Sequence, residues 1–218
     1  MNQSAGVRPQ TDAHERASAR RSHATRTAEM RARVVEAVIE SISKIGYQRT
    51  TAAEIARCAG VTWGAVQHHF GDKDGILFAV LEESFDHFAQ CLADFPDTDV
   101  LLEDRVERFV DRSWEHFSSS LYRSTFQILL NLPADIESSW QQTMLGEWTR
   151  VWSQYFDVDG THGRRERELM QYTIAVLSGL AAIRMLEAKR SLRRNSQLDY
   201  LKSTLRRELR EAAKDSKR

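Results

Sequence analysis

Two helix-start signals and two glycines fall close together between Thr51 and Gly71, and they leave this part of the chain few choices. Thr51-Ala-Ala-Glu54 has the form of a capping box, which starts a helix at Thr51. Ala59-Gly60-Val61 supplies a turn soon after Ile55, Ala56 and Cys58, so that helix is short. Thr62 then caps a second short helix, with Val66 and Phe70 at i, i+4 and Gly71 at its end. Two short helices joined by a glycine-containing turn make a helix-turn-helix unit. Small Ala56 permits close crossing, and Val61 with Val66 closes a small core.

The rest of the chain reads as helix too. Its 218 residues hold only 3 prolines and 10 glycines, too little turn chemistry for an all-β fold. Met30, Val34, Val38, Ile42 and Ile45 recur at helical spacing and predict a first helix over 27–45, stopped by Gly46. Asp72 caps a long fourth helix whose stripe, Leu77, Leu81, Phe85, Phe88, Leu92 and Phe95, runs to Pro96. Further amphipathic stretches follow, the last marked by Leu198, Leu201, Leu205 and Leu209. The expected fold is all-α with about nine helices. Its parts are a flexible basic arm over 1–26, a three-helix DNA-binding-type unit over 27–71, a helical body over 72–214 and a tail over 215–218.

The charges, 31 basic and 31 acidic, are unevenly placed. Residues 1–70 carry a net of +4, residues 71–188 a net of −11 and residues 189–218 a net of +7. A basic N-terminal module on an acidic body suggests a nucleic-acid face at one end. Cys58 and Cys91 are too few and too far apart for a disulfide framework or a metal site. The longest nearly apolar run, Ile174 to Ile183, is about half a bilayer span. With no apolar leader-like run near the start, a cytoplasmic protein without membrane partner is expected. Catalysis has no support: there is no glycine-rich phosphate loop, no Gly-x-Ser-x-Gly elbow and no His-Glu-x-x-His pair. Adjacent His68 and His69 diverge on a helix, and Glu115 with His116 reads as a solvated face. No cofactor and no metal is expected.

From Thr27 to Leu81 the sequence resembles the N-terminal DNA-binding domain of the TetR (tetracycline-repressor) family of bacterial transcriptional regulators. The residues that carry it are Ile45-Gly46-Tyr47, Thr50-Thr51, Glu54-Ile55-Ala56, Ala59-Gly60-Val61, Gly64-Ala65-Val66, His68-His69-Phe70, Asp72-Lys73-Asp74 and Leu77. The family commonly has a tyrosine where this chain has Gln67, and often a small or basic residue where it has Trp63. The resemblance implies a helical ligand-binding and dimerisation body, and a homodimer acting as a repressor on a pseudo-palindromic operator.

The second helix of the unit presents Thr62, Trp63, Gly64, Gln67 and His68, with His69 beside them. Such a helix fits the major groove of B-DNA, where Gln67 can read an adenine edge. Trp63 either meets thymine methyls and sugar or props the helix against its neighbour. Thr51, at a helix N-terminus, and Lys73 are placed for phosphates. Arg20, Arg21 and Arg26 suit either a minor-groove arm or a solubilising tail. A dimer interface is expected at Val176, Gly179, Leu180, Ile183, Leu201 and Leu205, where small residues allow close approach. An effector pocket for a small hydrophobic molecule is expected around Trp114, Phe117, Tyr122, Arg123, Phe126, Trp148, Trp152 and Arg184. The arginines would suit a carboxylate or phosphate, whereas the acidic body favours a cation. Two alternatives stay open: an effectorless dimer whose body only dimerises or meets a protein partner, and a redox switch at Cys58.

Overall fold

A computed structural model describes residues 10–96, 99–132, 134–156, 164–186 and 196–215. Among these are nine α-helices and one 3-10 turn, with no strand. The helices are α1 (Gln10–Ile45), α2 (Ala52–Ala59), α3 (Trp63–Phe70), α4 (Lys73–Cys91), α5 (Leu102–Phe117), α6 (Ser120–Leu129), α7 (Ala134–Phe156), α8 (Arg164–Leu186) and α9 (Ser196–Asp215). The 3-10 turn spans Tyr47–Arg49. The fold class is therefore as expected. The chain divides into two compact units, Met1–Ile76 and Leu77–Arg218, a few residues beyond the boundary expected at 71/72.

The first helix departs from expectation at its start. It begins at Gln10 and includes most of the span read as a flexible arm. The reason is local: residues 10–26 contain no glycine or proline and are rich in alanine and arginine, both strong helix formers. Apolar spacing, which begins only at Met30, reports burial rather than helix.

In the first unit, Met30, Val34, Val38 and Ile42 of α1 are buried, as are Ile55 of α2 and Val66 and Phe70 of α3. Thr51 caps α2 by accepting from the Glu54 N–H at 3.3 Å. Glu54 does not complete a capping box. Its carboxylate accepts from Arg57 instead, at 2.9 and 2.6 Å. Gly60 ends α2 in the left-handed region, φ 65°, and the Val61 N–H reaches back to the Ala56 carbonyl at 3.1 Å. Thr50 is buried and its hydroxyl bonds Ser41 at 3.1 Å and the Gly46 carbonyl at 3.0 Å, which ties the 3-10 turn to α1.

The second unit encloses an aromatic core. Phe109 meets Trp152, Tyr155 and Phe156 at ring-centroid distances of 5.4, 5.2 and 5.0 Å, all steeply inclined. Leu201, Leu205 and Leu209 of α9 join this core, as does Leu177 of α8. By length and mean hydropathy α8 passes as a membrane-crossing helix, which the run Ile174 to Ile183 alone did not suggest. Here it packs on α5, α6, α7 and α9 and buries Leu169, Met170, Thr173, Leu177 and Ala181.

Gly75, which sequence reading passed over, is the tightest backbone position. A Cβ there would lie 1.9 Å from the Phe70 carbonyl oxygen, a backbone atom that cannot swing aside. Gly75→Ala is expected to destabilise the first unit by about 1–3 kcal/mol through forced displacement of the α3–α4 turn. Urea unfolding followed by circular dichroism measures it; an unchanged midpoint would refute the crowding argument.

Candidate functional site

The helix-turn-helix presents one polar face. Thr62 caps α3 by accepting from the Ala65 N–H at 3.2 Å, which fixes the helix start. Val66 and Phe70 point inward, so Thr62, Gly64, Gln67 and His68 are left exposed on the opposite side. Nothing lies within 4 Å of where a Gly64 side chain would stand, so this backbone is open to close approach from outside. Trp63 and His69 are half-buried. The His69 carbonyl accepts from Arg31 at 3.3 Å, and the same guanidinium lies 4.8 Å from the Phe70 ring centre.

Thr51 is exposed at the start of α2. The Lys73 ammonium sits 4.8 Å from the Tyr47 ring centre, near the start of α4. Arg26 is exposed on α1. Arg20 and Arg21 fall on the same helix, but their side chains lie outside the described residues. Cys58 is exposed rather than a core thiol, and lies 3.3 Å from Glu54. Partial desolvation and the Glu54 carboxylate push its pKa up, opposite to what a reactive thiolate requires.

The second unit contains an apolar cavity of about 170 Å³ walled by α4, α5, α6, α7 and α8. Of the residues named for a pocket, Phe117, Tyr122, Phe126 and Trp148 line it. Trp114, Arg123, Trp152 and Arg184 do not. Arg184 lies over the Trp114 ring at 4.8 Å, Trp152 is core beside Phe109, and Arg123 is half-buried with no bond to its Nε. Sequence reading missed the wall that α4 supplies, Ser84, Phe85 and Phe88, and also His116. The apolar α4 stripe was legible; that part of it faces empty space was not.

His116 is the chemical surprise. Read as part of a solvated face, it is 4% exposed. Its Nδ1 lies 3.0 Å from the Nδ1 of His87, which in turn lies 3.7 Å from the Cys91 sulfur. One imidazole must donate and the other accept, so both cannot carry a proton on those nitrogens. Burial above all, with His87 adding to it, lowers the His116 pKa to about 3. No metal-binding cluster of three ligands occurs among the described residues.

A second apolar surface lies on α8 and α9. Tyr172, Val176, Gly179 and Ile183 follow one another at spacings of four, three and four, and line a shallow depression with Leu180 and Leu201. Ile183 is 55% exposed and Tyr200 beside it 68%. Leu205, expected on this face, is fully buried in the core instead, because it sits on the inward side of α9 with Leu209.

Comparison with known proteins sharpens the first site. Residues 34–80 match the family model described as bacterial regulatory proteins, tetR family. The chain is 43% identical over 51 residues to the HTH-type transcriptional regulator BetI of Burkholderia thailandensis, covering 23% of this chain and 26% of that one. It is 40% identical over 76 residues to the HTH-type transcriptional regulator TtgR of Pseudomonas putida, covering 34% and 36%. The matched stretch thus spans only about a quarter to a third of these relatives. Among solved structures, the multidrug binding protein EbrR, complexed with imidazole, aligns with a TM-score of 0.60 at 16% identity, over 82% of this chain and 93% of that one. The TetR family transcriptional regulator PfmR from Thermus thermophilus aligns with a TM-score of 0.58 at 15% identity, over 82% and 94%. At such identities the likeness is one of fold, and it extends through the second unit.

The His116 environment makes a pH prediction. Below pH 6.5 the unfolded chain takes up a proton that the folded ring refuses down to about pH 3, so stability falls with pH across that window. The contribution is whole above pH 6.5, and by pH 5 roughly 2 kcal/mol of it is lost. Urea unfolding at pH 7 and pH 5 should show this extra loss in the parent chain and not in His116→Phe. Equal losses in both would refute it.

Proposed function

We propose that the chain, whose residues 34–80 match the family model described as bacterial regulatory proteins, tetR family, is a transcriptional regulator binding operator DNA as a homodimer and released by a small effector. The observation that carries this reading is the capped α3, with Thr62, Gly64, Gln67 and His68 exposed on one face of a helix-turn-helix. In a major groove Gln67 reads an adenine edge, and Trp63 meets sugar or thymine methyls beside it. Thr51, Lys73 and His69 lie at the ends of the helices concerned and take phosphate positions. The α1 arginines Arg20, Arg21 and Arg26 add positive charge to that helix.

One recognition helix makes too few base contacts for specificity, so two copies are required. The α8 stripe, Tyr172, Val176, Gly179 and Ile183, keeps near-heptad spacing on an exposed face, as an interhelical seam does. No neighbour within the protomer explains Gly179, since nothing lies within 4 Å of its missing Cβ. Close approach of a second α8 does explain it. Leu180 and Leu201 flank that contact.

The cavity in the second unit is the effector site. Repression lifted by ligand follows if the ligand prefers the state that does not fit DNA. EbrR is named as a multidrug binding protein, which favours this reading over an effectorless dimer.

The test is binding of the purified chain to the DNA flanking its own gene against random duplex of equal length, over a salt series. A selective complex of dimer stoichiometry that weakens steeply with salt is expected. Gln67→Ala should lose about 1–3 kcal/mol of discrimination at one base pair, and Lys73→Ala should weaken binding alike on every sequence. No selective complex with flanking or genomic DNA would overturn the regulator reading. Ile183→Asp should give monomers in analytical ultracentrifugation, with helical content retained; a dimer unaffected by it would place the interface elsewhere.

A further inference from the structure

The walls of the cavity specify the kind of ligand it takes, an inference that rests on reading it as the effector site. Four features set the choice: size, charge, ring geometry and polar atoms. The volume, about 170 Å³, is close to that of an engineered apolar cavity of about 150 Å³ that holds benzene in another protein. One ring with a small substituent fits it.

No Asp, Glu, Lys or Arg lines the cavity among the described residues. A carboxylate ligand would be desolvated with no cation to meet it. A cationic ligand would need open ring faces. The rings here are turned to one another: Phe88 and Trp148 lie 4.2 Å apart at 31°, and Phe117 and Tyr122 4.4 Å apart at 48°. The ligand is neutral.

Polar atoms on the wall set the last requirement. The Tyr122 hydroxyl donates to Ser178 at 2.9 Å, and the Thr125 hydroxyl donates to the Leu121 carbonyl at 3.0 Å. Both are satisfied. Ser84 and His116, each only 4% exposed, also line the cavity. Among the described residues no hydrogen bond is seen for the Ser84 hydroxyl or the His116 Nε2, and neither is among the fully occluded atoms without a partner, so both keep access to the cavity space. Ser84 stands on α4 one helical turn before His87 and Phe88. A few polar groups on an otherwise apolar wall select a ligand that can bond to them. The His87–His116 contact lets Nε2 be a donor or an acceptor according to tautomer, and a hydroxyl answers either.

We propose that the cavity binds a neutral one-ring aromatic bearing a hydroxyl, a simple phenol, with the ring among Phe85, Phe88, Phe117 and Trp148 and the hydroxyl bonded to His116 and Ser84. The ring supplies affinity and the hydroxyl supplies selectivity.

Isothermal titration of the full chain with 4-methylphenol, toluene, benzoate and benzyltrimethylammonium tests it. The expected result is 4-methylphenol binding at least about ten-fold tighter than toluene, with the two ions binding more weakly still. Ser84→Ala and His116→Phe should each cut 4-methylphenol affinity about five-fold or more and leave toluene affinity within two-fold; Ser84→Ala guards against a folding defect in the other variant. Equal affinity for 4-methylphenol and toluene, preference for either ion, or no binding of 4-methylphenol would overturn the proposal. The same compounds are then added to the protein–DNA complex. Selective binding that leaves the complex intact keeps the ligand class and removes the effector reading. Release of the DNA by other compounds, with no binding of 4-methylphenol, does the reverse.

Discussion

The carbonyl oxygen of Phe70 occupies the place where residue 75 would carry its side chain. That single close approach sets how α3 gives way to α4. Gly71 takes φ 79° to turn the backbone, and the Asp72 carboxylate accepts from the Gly75 N–H at 2.9 Å to start the next helix. Any side chain at residue 75 would push the two helices apart. Because α4 is one unbroken helix from Lys73 to Cys91, its origin is fixed in the first unit while Ser84, Phe85 and Phe88 wall the cavity of the second. Residues of both units thus lie on the one helix α4.

The uneven charge along the chain has a partly internal explanation. On α9, Lys202 is nearly buried and lies 2.7 Å from both Glu107 and Asp111 of α5. Arg206 pairs with Glu107, and Arg210 with Glu103, one turn at a time along the same two helices. Arg165 of α8 reaches Glu208 and Glu211 at 3.0 and 2.7 Å. Much of the basic C-terminal segment thus faces part of the acidic body. Most of these pairs are exposed and contribute little each to stability. Lys202 differs, since removing either partner from a buried charge is costly. Their combined effect is on register: a slip of α9 by one turn would break every pair at once.

Local signals in the sequence were enough for the first unit. Thr51, Gly60, Thr62 and Gly71 each act on their immediate neighbours, so caps and turns translate directly into α2 and α3. The start of α1 was missed for a related reason, because its first turns have helix-forming composition without an apolar stripe. In the second unit, spacing located the helices but not the cavity. Periodicity says which residues face inward and nothing of whether inward is filled. Trp152 and Phe126 have the same pattern, yet Trp152 packs on Phe109 and Phe126 borders the open space. His116 was misjudged similarly: its neighbour Glu115 is exposed, and adjacent positions on a helix differ by about 100°.

Aromatic rings and the polar side chains of Ser84 and His116 share the walls of the cavity. A ligand that meets both kinds of group in one wall geometry and not in another would bind the two geometries unequally. This is what ligand control requires: binding energy that depends on conformation rather than affinity alone. With the α4 wall contributing Ser84, Phe85 and Phe88, any preference for one wall geometry acts on the helix that begins at Lys73. A better packed core would be more stable and would have nothing for an effector to change.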